Sequence, residues 1–152
     1  MNTLRTIHGW LGVIILPWVL IMGFTGFYMN HSKLVLSLFP QTAFSESQFE
    51  GHSPPSPITE KIALNIAASI WPKQPVQSIR ETTYHGWPSF QLKKPDGRII
   101  VAIPTGHYYV KTRYIRQTFS PNGALLHEKF YWSRVLKELH DTGWFGGGMG
   151  TW

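Results

Sequence analysis

Three histidines have the type and the placement to hold a haem iron or another metal: His8, His31 and His140. An ionisable side chain at membrane depth is costly and marks a functional site by default. Neutral imidazole is also a common axial ligand of haem iron. The opposing interpretation gives each histidine a structural role. His8 beside Arg5 would meet lipid phosphates, His31 would lie at a helix end, and His140 would begin the next helix.

The element that must position His8 and His31 is an apolar run over residues 7–29, which contains no Asp, Glu, Lys or Arg. As an α-helix this run is about 34 Å long, against about 30 Å for the hydrocarbon core of a bilayer. It therefore predicts a transmembrane helix with Pro17 near its middle. A cleaved signal peptide and a buried soluble helix are the alternatives, but no small-residue cleavage site follows the apolar centre.

Composition limits the chemistry that the chain can do. Its 152 residues include 14 Lys and Arg, 8 Asp and Glu, and no Cys, for a formal net charge of +6. The lack of cysteine excludes disulfides, thiolate metal sites and the C-x-x-C-H haem attachment. No basic stripe interleaved with aromatics predicts a nucleic-acid partner. The positive charge predicts a solvated basic surface, with anionic lipid headgroups or an acidic ligand as alternatives.

The middle of the chain predicts a linker and then a small α+β domain. Residues 30–55 are predicted to be a linker, because the run QTAFSESQFEGHSPPSPIT at residues 41–59 combines Ser, Pro and Gly. Residues 56–132 begin with a helix N-capped by Ser56, whose apolar face is formed by Ile58, Ile62, Ile66 and Ile70 with Ala63 and Ala67.

After Pro72 the apolar period changes to two, which predicts about four antiparallel strands separated by turn-forming residues. The helix is expected to pack on one face of this sheet. The remaining histidines fall in predicted linkers, turns or strands and are predicted to be surface residues: His52, His85, His107 and His127.

Residues 133–152 predict a short amphipathic helix that leads into a second membrane segment. The last residues, GWFGGGMGTW, are apolar and rich in glycine, like the opening of a membrane helix. A natural chain seldom stops inside such a stretch, so this segment is expected to be incomplete and the sequence to be a fragment.

The order of these motifs resembles the PepSY-associated transmembrane family of bacterial inner-membrane proteins. R-x-x-H-x-W-L-G is followed by an apolar span that contains T-G and ends in N-H, then by a helix with strands, and then by L-H-x-x-G-x-x-G-G. The residues that carry the resemblance are Arg5, His8, Trp10, Leu11, Gly12, Thr25, Gly26, Asn30, His31, Leu139, His140, Gly143, Gly146 and Gly147. It implies a cytoplasmic N-terminus at residues 1–6, a periplasmic PepSY-like domain at residues 56–132, and further membrane helices.

The resemblance also implies a cofactor and an activity. Some members are ferric-siderophore reductases or iron-regulated membrane proteins, in which membrane histidines hold haem b and pass electrons across the bilayer. His31 and His140 then lie on the same side of the membrane and can face one haem. His8 lies on the other side and needs a partner from a missing helix; at about 100° per residue it is roughly 140° from His31 around a straight helix. The alternative is a membrane-tethered PepSY binding or regulatory module with no cofactor, acting alone or as a homo-oligomer.

Overall fold

The structure is a computed structural model that describes residues 2–39, 44–50, 54 and 57–142. The chain divides into a helical unit, Met1–Gln41 with Trp132–Trp152, and a sheet unit, Thr42–Tyr131. The predicted second membrane segment begins at residue 143, so it lies outside the described residues, as do the predicted N-cap Ser56 and His52.

Helix α1 (Asn2–Asn30) dominates the helical unit. It is long and apolar enough to cross a membrane, and Pro17 lies inside it. The unit also contains α2 (Ser32–Ser37) and α4 (Trp132–Thr142). Most large apolar side chains of the first two thirds of α1 are exposed, whereas its last turns pack on the other two helices.

A small apolar core joins the three helices of this unit. Tyr28 of α1, Val35 of α2 and Leu136 of α4 are its buried members. Beside them the rings of Phe39 and Trp132 stack with centroids 4.5 Å apart. Apolar burial of this kind is the main force that holds short helices such as α2 and α4 in place.

The sheet unit contains one six-stranded antiparallel sheet in which every strand pairs with its neighbours in the sequence. The predicted α+β class is therefore confirmed, but the sheet has six strands where about four were expected. The strands are β1 (Ser78–Tyr84), β2 (Trp87–Lys94), β3 (Gly97–Ala102), β4 (Tyr108–Lys111), β5 (Ile115–Phe119) and β6 (Leu125–Phe130).

Two turns account for the additional strands. His85 and Gly86 both have positive φ, 51° and 85°, as a two-residue turn between right-twisted strands requires. The run HYYVKTRYIRQTF was expected to form one strand, but the Thr112 N–H donates to the Ile115 carbonyl at 2.9 Å and folds the run into β4 and β5. A Thr-Arg-Tyr turn carries no Gly, Pro, Asn or Asp, so the usual turn signal is missing.

Helix α3 (Glu60–Ile70) packs on one face of the sheet. Its N-cap is Thr59, whose hydroxyl accepts from the Ile62 N–H at 3.4 Å. Ala63 and Ala67 are fully buried, and the flanking isoleucines are only partly so. The predicted apolar face is thus correct, but small residues form its centre, which lets the helix approach the strands closely.

The C-terminus of α3 is held by a lysine from the sheet. The buried Lys94 ammonium donates to the carbonyls of Ala67 and Trp71, at 2.6 and 2.7 Å. The Ala67 carbonyl, in the last turn, also accepts from the Trp71 N–H at 3.2 Å, and the Trp71 carbonyl belongs to the C-cap residue. Burial lowers the pKa of Lys94, and the two carbonyls offset part of the cost of removing its charge from water.

Candidate functional site

His140 packs against α1 at one threonine and one glycine. Its Nδ1 lies 3.0 Å from the hydroxyl of Thr25, which is fully buried. Its Cε1 lies 3.8 Å from the position that a Cβ at Gly26 would occupy. The T-G pair singled out in the sequence is therefore the surface on which this histidine rests.

The hydrogen bonds of Thr25 favour one tautomer of His140. The Thr25 hydroxyl lies 2.8 Å from the carbonyl of Ile21, to which it can donate its only proton. With that proton on the carbonyl side, the same oxygen accepts from His140, whose own proton is then on Nδ1. Nε2 then carries a lone pair, and no hydrogen bond joins it to any residue that the structure describes. An imidazole held through Nδ1–H with Nε2 open is the usual form of a metal-ligating histidine.

His31 takes a different position on α1. Its ring stacks on Phe27 with centroids 4.5 Å apart, and its Nδ1 lies 3.4 Å from the Phe27 carbonyl. Phe27 follows Thr25 by two residues, which is about 200° around a helix. The rings of His31 and His140 therefore lie against opposite faces of α1, and their joint ligation of one haem stays a prediction.

His8 is an exposed residue in the second turn of α1, close in sequence to Arg5. Its predicted role as a haem ligand therefore stays a prediction, as does its alternative role at the lipid interface. Within residues 2–39, 44–50, 54 and 57–142, no group of three or more His, Cys, Asp or Glu side chains converges as a metal site would require.

A second histidine site, which the sequence analysis missed, lies in the sheet unit. His107 was predicted to be at the surface, and this is wrong: it is fully buried. Its Nδ1 lies 2.5 Å from the Thr105 hydroxyl and its Nε2 lies 3.0 Å from the Tyr109 hydroxyl. Phe49 stacks on the imidazole with centroids 3.8 Å apart. Burial beneath this ring, with a smaller effect of the nearby His85, lowers the pKa of His107 to about 4.

Glu46 and His85 lie beside Tyr109. The rings of His85 and Tyr109 have centroids 5.6 Å apart, and the Glu46 carboxylate lies 2.7 Å from Nδ1 of His85. Nε2 of His85 lies 2.9 Å from Nη1 of Arg116. Because guanidinium can only donate, His85 Nε2 accepts and its Nδ1–H donates to Glu46. Desolvation lowers the pKa of His85, and the Glu46 charge opposes that change.

This network joins the sheet to residues 44–50, which the sequence analysis placed in the linker. Glu46 and Phe49 belong to a 3₁₀ turn, Glu46–Phe49, and Phe44 stacks on His127 of β6 at 4.9 Å. The segment thus covers part of the sheet face opposite α3. Phe49 packs on the His107 ring, and the Thr105 and Tyr109 hydroxyls contact its two nitrogens. The network explains the position of this segment and needs no bound ligand.

Comparison with known proteins adds no assignment. The chain matches no family model, no curated protein and no solved structure. The functional argument therefore depends on the residues and their geometry.

Proposed function

We propose that this protein is a bacterial inner-membrane electron-transfer module of the PepSY-associated type, with α1 spanning the bilayer and the sheet unit in the periplasm. Its helical unit holds haem b, which supplies reversible one-electron chemistry when bound. The electron acceptor is a periplasmic ferric chelate or a compound of similar potential. The observation that carries the proposal is the Thr25–His140 hydrogen bond, because it leaves Nε2 of a partly buried histidine open as a ligand.

The residues of this unit have separate roles in the proposal. His140 would hold the haem iron through Nε2, and Thr25 would fix the tautomer and ring orientation of this histidine. Gly26 has no side chain, which lets the ring of His140 lie close against α1. His31 is the proposed second ligand on this side, which requires its ring to leave Phe27. His8 is the proposed ligand on the opposite side of the membrane.

The test is a reduced-minus-oxidised visible spectrum of the full chain purified from membranes of haem-supplied cells. We expect a b-type spectrum in the wild type, its loss in His140→Ala and His31→Ala, and its retention in the control His127→Ala, which removes an imidazole from the sheet unit. A wild-type protein without haem would overturn the proposed function. Retention of the spectrum in His140→Ala would overturn the assignment of this ligand.

The second candidate is a membrane-tethered PepSY-like binding module that needs no cofactor. The observation that favours it is the packing of residues 44–50 on the sheet through Phe49 and the buried His107, which orders this part of the sheet unit with residues that take no part in haem ligation. A binding module requires neither His31 nor His140. This function becomes the better one if the wild-type spectrum shows no haem.

A further inference from the structure

A row of cations crosses the sheet from β2 to β6. In the register of the strands, Lys93 lies opposite Arg98, Arg98 opposite Lys111, Lys111 opposite Arg116, and Arg116 opposite Lys129. Directly opposed residues of antiparallel strands project from the same face. Five neighbouring strands thus present a basic side chain side by side, and we call this set the basic row. Because neighbouring strands lie about 4.8 Å apart, the row is about 19 Å long.

Charge is segregated between the two faces of this sheet. Of the seven basic residues in its strands, the five of the basic row and Arg80 lie on the face opposite α3, and only Lys94 lies on the α3 face. The two acidic strand residues, Glu81 and Glu128, pair with Phe90 and Gln117 and therefore lie on the α3 face. The strands thus bring no carboxylate to the face that carries the row.

The end of the row at β1–β3 is open to solvent. Lys93, Arg98 and Arg80 are exposed, and they line a depression of about 290 Å³ together with Ser78 and Gln91. The side chains of Lys93 and Arg98 make no hydrogen bond or ion pair to another described residue. At the other end, Arg116 contacts His85, and Lys129 lies 6.0 Å from the Tyr131 ring.

Like charges placed directly opposite one another destabilise a sheet. The pair of Lys93 and Arg98 is of this kind and has no carboxylate bonded to it among the described residues, whereas the Glu46 carboxylate interacts with Arg116 at the other end of the row. We propose that the basic row binds the phosphate headgroups of anionic phospholipids, and so docks the sheet unit on the surface of the bilayer that α1 enters. Phosphates at a bilayer surface complement the exposed cations at the open end of the row, Lys93 and Arg98 with Arg80 beside them. The inference rests on the proposed function only in placing α1 in a bilayer, and it needs no haem.

A short stretch of chain joins the row to the other unit: Lys129 precedes Trp132, the first residue of α4, by only three positions. In the proposal α1 anchors the same chain in the bilayer, so that the row meets lipid phosphates at a high effective concentration. Each Lys or Arg near an anionic surface then adds to the attraction.

The absence of cysteine makes a direct test feasible, since one introduced cysteine gives one labelling site. Ser78→Cys places a fluorophore beside Lys93, which lies opposite it. Asn122→Cys places the same fluorophore in the exposed β5–β6 turn, at the other end of the strands. The full chain is reconstituted in nanodiscs of phosphatidylcholine, with or without phosphatidylglycerol, in which a fraction of the lipids carries a headgroup quencher.

We expect quenching at position 78 to be several-fold stronger with phosphatidylglycerol than without it, and to fall at high salt. Quenching at position 122 should be weak in both lipids. Lys93→Gln with Arg98→Gln should abolish most of the difference between the two lipids. The matched control, Lys61→Gln with Lys73→Gln, removes two exposed charges outside the strands and should leave the difference unchanged.

Equal quenching in the two lipids, or equal loss in the two double variants, would overturn the proposal. A fluorescence change at position 78 on adding inorganic phosphate to discs without phosphatidylglycerol, with no response to that lipid, would also overturn it and assign the row to small anions. Insertion of the chain into the discs is measured separately by co-purification. Failure to insert would contradict the membrane part of the proposed function, whereas insertion without lipid dependence contradicts only the docking of the row.

Discussion

The two units each hold one histidine against a threonine hydroxyl, and they use the arrangement differently. In the helical unit, His140 donates through Nδ1 to Thr25 and its Nε2 has no partner in the described part of the chain. In the sheet unit, His107 contacts Thr105 through Nδ1 and Tyr109 through Nε2. The first imidazole is oriented with one nitrogen left open, whereas the second has both nitrogens occupied.

The number of hydroxyl partners differs between the two imidazoles. Thr25 donates to the Ile21 carbonyl and can then accept from Nδ1–H of His140, so one nitrogen of this histidine is used within the described residues. His107 has a hydroxyl at each nitrogen, Thr105 at Nδ1 and Tyr109 at Nε2. Of the two histidines, only the one in the helical unit therefore has a nitrogen available to a metal.

The largest difference that we expect between the two histidines is in stability. His107→Leu removes the hydrogen-bond partner of the Thr105 hydroxyl in a site where both residues are almost completely buried. A buried hydroxyl without a partner costs about 1–3 kcal/mol, and the altered packing against Phe49 adds to it. The free energy of unfolding of the sheet unit should fall by about 2–4 kcal/mol, measured by hydrogen exchange of the β3–β5 amides.

The same substitution in the other pair is the control for this experiment. His140→Leu changes a residue of the helical unit, and the β3–β5 amides should keep their wild-type exchange. If His107→Leu leaves the exchange of these amides as it is in the wild type, the network does not stabilise the sheet. If both substitutions lower protection equally, the distinction between the two histidines is wrong.

The pH dependence of stability is the second expected effect. Burial lowers the pKa of His107 from an ordinary 6.5 to about 4. Between these values the unfolded chain binds a proton that the folded chain does not. The stability contributed by neutral His107 is therefore fully present above pH 6.5 and is lost as the pH falls towards 4, by about 3 kcal/mol in total.

This pH effect is measured as the difference between two proteins, because carboxylates titrate in the same range. The unfolding free energy of the wild type should fall more steeply with decreasing pH than that of His107→Leu, which has no imidazole at this position. Parallel curves for the two proteins would show that His107 titrates alike in the folded and unfolded chains.

The predictability of these features from sequence depends on how local the signal is. The long apolar helix, the apolar face of α3 and the presence of β-strands can be predicted from the spacing of apolar residues. That spacing is visible within short stretches of sequence. The burial of His107 cannot be predicted in this way, because it depends on Phe49, which lies 58 positions earlier in the chain. The alternation of His107 and Tyr109 with core residues of β4 indicates a common face, but not that this face is covered.

The basic row illustrates the same limit. Each of its members looks like an ordinary solvated charge in the sequence, with one or two on each strand. Only the register, which depends on the turns between the strands, aligns them across the sheet. The turn at Thr112 had no sequence signal, and with β4 and β5 joined in one strand Lys111 and Arg116 could not be placed opposite each other.

The smallest expected effect concerns the orientation of His140. Thr25→Val keeps the shape of the side chain but removes the oxygen that accepts from Nδ1. Loss of such an outer partner typically weakens metal binding about 10-fold to 100-fold. Haem affinity of the purified chain, measured by titration and visible absorption, should therefore fall by this factor while a b-type spectrum is still reached at saturation.

Thr25→Ser restores the hydroxyl without the methyl group and is the matched variant for this measurement. We expect it to bind haem nearly as tightly as the wild type, because the Ile21 carbonyl and His140 are both within reach of the same oxygen. If serine and valine weaken haem binding equally, then Thr25 acts through packing against α4 and not through the tautomer of His140. The open Nε2 would then be a consequence of helix packing. The contrast with His107, whose two ring nitrogens both have hydrogen-bond partners, would lose its functional meaning.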